Sequence, residues 1–120
     1  MKQSLTGSFH KKLRFKLDKF VSLIYQLTKN FPKDELYGVT SQLRRSSLSI
    51  ILNYIEGYGR MKSKVYQNFI EISYGSLKET KYLLYFSYKE NYLSFDEYQT
   101  TIQLSEEIGA MLYGILKNIK

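Results

Sequence analysis

Residues 34–56 read D-E-L-Y-G-V-T-S-Q-L-R-R-S-S-L-S-I-I-L-N-Y-I-E, and the spacing of their apolar positions decides the fold. Leu36, Val39, Leu43, Ser47, Ile50 and Tyr54 recur at intervals of three and four, which is the repeat of one helix face. Leu48, Ile51, Leu52 and Ile55 make a second apolar face beside it. At 100° per residue the two faces cover roughly 200° of the helix, about twice the stripe of an ordinary surface helix. A bundle covers only one face of each helix well. The extra arc therefore points to a second chain, with Leu48, Ile51, Leu52 and Ile55 as the candidate oligomer interface. Asp34 and Glu35 fall in the expected first turn, where the helix dipole favours negative charge. Gly57 and Gly59 close the segment in the manner of C-cap glycines.

Three further segments carry the same period. In residues 8–29, Leu13, Leu17, Phe20, Val21, Ile24 and Thr28 share a face, and Pro32 ends the helix shortly afterwards. In residues 63–89 the face is Tyr66, Phe69, Ile70, Ser73, Leu77, Leu84 and Ser87. Gly75 interrupts it, and close helix packing is the expected reason for a glycine there. The last segment opens at Ser94, where Ser94 and Glu97 have capping-box spacing. Tyr98, Ile102, Ser105, Gly109, Leu112, Leu116 and Ile119 then follow a near-heptad rhythm. The intervening loops are short, at about 30–33, 57–62 and 90–93. The expected architecture is an all-α, antiparallel, up-down-up-down four-helix bundle forming one domain over residues 1–120.

Composition bounds the chemistry. The 120 residues contain no cysteine, one histidine and one proline. Disulfides, thiolate metal sites and cysteine nucleophiles are thereby excluded, and the lack of cysteine fits a cytoplasmic setting. The longest uncharged run, residues 46–55, is far short of the ~20 residues of a membrane span. Residues 1–10 hold no apolar run and do not read as a leader. No cofactor and no metal site is expected. His10 lies near the N-terminus and reads as an exposed polar residue. Asp34/Glu35, Asp96/Glu97 and Glu106/Glu107 are adjacent pairs that point about 100° apart on a helix, so none converges on a shared proton. Gly57-Tyr58-Gly59-Arg60 lacks the G-K-[ST] ending of a phosphate loop. No catalytic residue set emerges.

Charge is more informative. The formal net charge is +7, divided as +9 over residues 1–64 and −2 over residues 65–120. Lys11, Lys12, Arg14, Lys16 and Lys19 crowd one helix, and Arg60, Lys62 and Lys64 follow another. Such clusters attract polyanions, so these eight residues are the candidate nucleic-acid contacts. Ser41, Arg45, Ser49, Asn53 and Glu56 form a polar stripe on the second helix. Three readings stand for it: a solvated face, a hydrogen-bonded network between subunits, or a ligand surface. The aromatic content, 16 %, suits packing first and base stacking second.

The stretch from Phe31 to Arg60 resembles the four-helix-bundle family of 23S rRNA-intervening-sequence proteins. That family shows F-P-x-x-E-x-x-G-L-T-S-Q-x-R-R-A followed by S-x-x-x-N-I-A-E-G-x-G-R. Phe31, Pro32, Glu35, Gly38, Thr40, Ser41, Gln42, Arg44, Arg45, Ser49, Asn53, Glu56, Gly57, Gly59 and Arg60 stand at its positions. Phe69, Gly75, Ser76, Leu77 and Glu79 resemble its G-S-L-x-E motif. Tyr54 and Ile55 replace its small I-A step, and Ser46 and Ser47 replace alanines.

The resemblance implies a homo-oligomer, typically a ring of five, with no established enzymatic activity. It also implies similarity to the basic, pentameric accessory protein of diversity-generating retroelements, which binds nucleic acid and a reverse transcriptase. The expected function is a non-enzymatic cytoplasmic scaffold. Its partners are other copies of itself and RNA or DNA, and a purely protein-binding adaptor is the alternative.

Overall fold

The computed structural model describes residues 5–119. Met1–Ser4 and Lys120, the two ends of the expected domain, lie outside the described residues. Four helices make up the described chain: α1 (Gly7–Thr28), α2 (Val39–Tyr58), α3 (Tyr66–Lys89) and α4 (Phe95–Ile119), with a short 3-10 turn at Lys33–Glu35.

The registers between helices fix the topology. His10 and Thr28 of α1 bond Tyr54 and Arg44 of α2. Ser46, Ile50 and Ser49 of α2 bond Thr80, Ser73 and Ser76 of α3. Lys81 of α3 pairs with Glu106 of α4, and Lys16 of α1 pairs with Glu107 of α4. Between α1 and α2 and between α2 and α3, residue numbers rise on one helix as they fall on the other, and Gly109 against Leu77, Glu106 against Lys81 and Tyr98 against Tyr88 show the same for α3 and α4; α1 and α4 are then antiparallel as well. The diagonal pairs α1–α3 and α2–α4 make no backbone approach. The expected four-helix, up-down-up-down arrangement is the one found.

The core follows the predicted faces on α1, α2 and α3. Leu13, Leu17, Phe20, Ile24, Leu43, Ile50, Ile70, Leu77 and Leu84 are fully enclosed. On α4 the buried stripe is Thr101, Leu104, Ser105, Ile108, Leu112 and Ile115. It is rotated from the expected heptad set, whose Tyr98, Ile102, Leu116 and Ile119 are only partly covered.

Hydroxyls line the α2–α3 seam. Ser73 Oγ donates to the Ile50 carbonyl at 2.7 Å, and Thr80 Oγ1 bonds Ser46 Oγ at 2.7 Å. Small side chains let these two helices approach closely while the hydroxyls on the seam find hydrogen-bond partners.

Four local expectations are corrected. The second helix begins at Val39, five residues later than its apolar pattern suggests. Residues 33–35 form the 3-10 turn instead, and Leu36 is exposed. Glu35 still serves the helix start: its Oε1 accepts from Val39 N at 3.2 Å, and its Oε2 accepts from Tyr92 OH at 2.8 Å. That bond to the carboxylate, with burial second, pushes the Tyr92 phenol up to about 12.

Gly57 is not a helix stop but lies inside α2, where a Cβ would come within 3.1 Å of Phe69 Cβ and 3.2 Å of Ile70 Cδ1. Gly75, expected at a close approach, faces open space. The left-handed helix end belongs to Asn91, at φ 65° after α3. There Asn91 N donates to the Tyr88 carbonyl and Tyr92 N to the Ser87 carbonyl, which together make a Schellman closure. The capping box at α4 forms as spaced: Glu97 N donates to Ser94 Oγ at 3.1 Å, and Ser94 N donates to Glu97 Oε1 at 2.9 Å.

Candidate nucleic-acid interface

The antiparallel register brings the start of α1 next to the end of α2 and the loop that follows. His10 and the 61–66 segment line one cavity of about 430 Å³, to which Lys62, Ser63, Lys64 and Tyr66 contribute. Lys11 and Lys12 follow His10 directly on the first turns of α1. Two cation clusters fifty residues apart in sequence therefore lie at the same end of the bundle.

The eight predicted cations are not equivalent. Lys16 is half-buried and held by Glu107 at 2.6 Å. Arg14 meets Asp18 at 3.5 Å, and Arg60 meets Glu56 at 2.8 Å while its guanidinium lies over the Phe69 ring. These three spend their charge on neighbouring carboxylates. Among the described residues Lys11, Lys12, Lys19, Lys62 and Lys64 make no ion pair, and all five are exposed. The end of the bundle thus presents four ammonium groups without an ion-pair partner, and Lys19 adds a fifth further along α1.

Phe15 is a further candidate, which the charge pattern alone does not mark. It lies off the apolar face of α1 and is 67 % exposed. Lys11 and Lys12 stand four and three residues before it, and Lys19 stands four after it. Positions three and four apart are neighbours on a helix surface, so Phe15 is an aromatic ring set among three lysines. Its position outside the Leu13, Leu17 and Phe20 stripe is a signal present in the sequence.

His10 corrects another expectation. It is 6 % exposed, and its Nδ1 shares a 2.7 Å hydrogen bond with the Tyr54 hydroxyl. Its ring packs against Phe9, Tyr54 and Tyr58. Burial lowers the imidazole pKa below its ordinary value and raises that of the Tyr54 phenol. A neutral histidine that packs with aromatics organises this end of the bundle.

The polar stripe of α2 runs along the seam with α3 and out to its surface. Ser49 Oγ bonds Ser76 Oγ at 2.8 Å, and Asn53 Nδ2 donates to Ser49 O at 2.9 Å. Arg45 donates to Gln42 Oε1 at 2.7 Å and lies 3.8 Å from Glu79. Ser41 and Glu56 are exposed. Ser49 and Asn53 thus bond within one chain. Of the candidate interface residues, Leu52 is 59 % exposed, Ile55 is 39 % exposed and Leu48 is half-buried. Ile51 is 7 % exposed and belongs to the chain's own core.

No helix among the described residues is long and apolar enough to cross a membrane. No cluster of three or more His, Cys, Asp or Glu among them could hold a metal ion.

Residues 12–114 match the family described as 23S rRNA-intervening sequence protein. The fold is similar to a crystal structure of a protein of unknown function from the S23 ribosomal protein family of Bacteroides thetaiotaomicron. The TM-score is 0.77 at 25 % identity, over 88 % of this chain and 98 % of that one. No curated protein matches the sequence. Neither description names an enzymatic activity.

Proposed function

The chain belongs to the 23S rRNA-intervening sequence protein family, and on that premise we propose that it is a non-enzymatic, homo-oligomeric, cytoplasmic scaffold that binds RNA or DNA through the basic end of its bundle. The observation that carries this reading is the convergence of Lys11, Lys12, Lys62 and Lys64 on one end, with Lys19 and exposed Phe15 extending it along α1. Unpaired ammonium groups neutralise phosphates and release counterions, a favourable step that reads no sequence. An aromatic ring among them offers a stacking surface to an unpaired base. Assembly multiplies these weak contacts through multivalency. The exposed Leu52 and Ile55 support self-association, in the ring of five that the family resemblance implies.

The test is binding of short single-stranded and duplex RNA and DNA at low salt, with the triple variant Lys11→Glu, Lys12→Glu and Lys62→Glu as control. The expected result is binding to all sequences alike, lost in the variant while the oligomer persists. The purely protein-binding adaptor is the second reading, favoured by the same exposed apolar residues. It gains if no nucleic acid binds at low salt.

A further inference from the structure

At the opposite end of the bundle, where α1 runs into the 3-10 turn and α2 begins, a second cavity of about 310 Å³ opens. Thr28 is 18 residues beyond His10 on α1, which at 1.5 Å per residue is roughly 27 Å along the helix. Phe31 makes part of an apolar wall, and Thr28, Lys29, Lys33, Thr40 and Arg44 supply the polar lining. None of the lining residues is acidic.

Two observations set this cavity apart from an ordinary surface groove. Thr40 is 2 % exposed, and its Oγ1 is the one buried side-chain polar atom among the described residues with no hydrogen-bond partner. Buried hydroxyls are nearly always partnered, and leaving one alone carries a desolvation penalty. Arg44, meanwhile, is oriented without a counter-ion. Its Nε donates to Thr28 Oγ1 at 2.9 Å, and its guanidinium carbon sits 4.8 Å over the Tyr25 ring. Thr28 is itself fixed, donating to the Ile24 carbonyl at 2.7 Å. Among the described residues the two terminal amino groups of Arg44 take no hydrogen bond, and no carboxylate lies within ion-pair distance of it. Glu35, on the adjoining turn, is committed to Val39 N and Tyr92 OH. The first turn of α2 adds the positive end of its dipole at Thr40.

We propose that this cavity binds a phosphate group, held by the fork of Arg44, the hydroxyl of Thr40 and the ammonium groups of Lys29 and Lys33. A planar guanidinium offers paired N–H donors that match phosphate oxygens. The tetrahedral anion has acceptors left over for a hydroxyl and two ammonium groups. The volume exceeds that of a bare phosphate, and the apolar wall accommodates the organic part of a phosphate ester. Because it lies at the other end of the bundle, the site does not depend on the lysine-rich surface.

The experiment is titration of inorganic phosphate into the full chain at constant ionic strength with chloride as balance, followed by phosphorus NMR line width and by melting temperature. Saturable binding in the micromolar to millimolar range is expected, with a rise in melting temperature that chloride does not produce. Thr40→Val keeps the shape and removes the hydroxyl. It should weaken phosphate binding about tenfold and leave the melting temperature in chloride equal or higher, because an unpartnered buried oxygen is gone. Arg44→Gln should weaken binding further. A nucleoside monophosphate and a short oligonucleotide are then used as competitors. Displacement by the first alone assigns a free phosphate ester, and displacement by the oligonucleotide assigns a backbone phosphate; either outcome supports the site. Absence of saturation by inorganic phosphate, or equal affinity in Thr40→Val, overturns it. Neither result bears on whether Lys11, Lys12 and Lys62 bind nucleic acid.

Discussion

Replacing Leu52 and Ile55 together by aspartate should dissociate the assembly and leave the bundle folded. The two residues keep 59 % and 39 % of their surface open in the isolated chain. Fully burying such a side chain is worth roughly 1.5–3 kcal/mol. The open fraction of Leu52 therefore represents about 1–2 kcal/mol, and that of Ile55 about 0.6–1.2 kcal/mol. Covering both in a subunit contact adds about 1.5–3 kcal/mol per copy, or about ten- to a hundredfold in affinity. Aspartates there add the cost of a carboxylate pressed against an apolar partner. Ile51→Asp is the instructive contrast. That residue is enclosed by its own bundle, so the charge enters the core, and several kcal/mol are lost from a total stability of about 5–15 kcal/mol. Light scattering coupled to size exclusion reads the mass against a protomer of 14.2 kDa, and far-UV circular dichroism reads the helices. Expected are a multiple of the protomer for the wild type and a helical, smaller species for Leu52→Asp/Ile55→Asp. Lost helicity is expected for Ile51→Asp. A double variant that keeps the wild-type mass would refute the assignment of this face, and a monomeric wild type would refute assembly itself.

Asn53→Ala removes the donor that ties Ser49 on the α2–α3 seam. It should cost about 1 kcal/mol, or about 4 °C in melting temperature, without changing the oligomer. His10 is held neutral by burial, so its folded pKa lies below its unfolded value. The unfolded chain then binds the extra proton first, and stability should fall as pH drops below about 6.5, by at most about 1.4 kcal/mol per pH unit; His10→Gln should flatten that slope. Phe15→Ala, at an exposed position, should leave the melting temperature unchanged and lower affinity for single strands about tenfold, while duplex binding is spared. Equal losses on both substrates would remove Phe15 from the stacking role.

The helices were legible because Leu13, Leu17, Leu43, Ile50, Ile70 and Leu84 repeat at the helical period with nothing to compete. The errors fall where tertiary contacts override a local signal. Leu36 continues the apolar pattern of α2, yet the chain turns at Lys33–Glu35, and Glu35 caps the helix from outside. By local pattern Gly57 reads as a helix stop and Gly75 as a close approach. Only the packing of Phe69 and Ile70 against Gly57 separates a required close approach from open surface. Nearness to the terminus suggests an exposed His10, whereas Tyr54 and Tyr58, over forty residues away, enclose it. The cation clusters were visible as composition. Their meeting at one end, and the loss of Arg14, Lys16 and Arg60 to local carboxylates, depend on antiparallel registers that no local window contains.

The most direct measurement is the affinity for a short single-stranded oligonucleotide across a salt series, for the wild type and for Lys11→Glu/Lys12→Glu/Lys62→Glu. Five unpaired lysines per chain, each contributing about −0.7 to the slope of log affinity against log salt, predict a slope of roughly −3 to −4 per engaged subunit. The triple variant should lose about 2 of that slope and bind all sequences more weakly by the same factor. An affinity indifferent to salt, or a triple variant that binds like the wild type, would contradict a basic bundle end as the nucleic-acid surface.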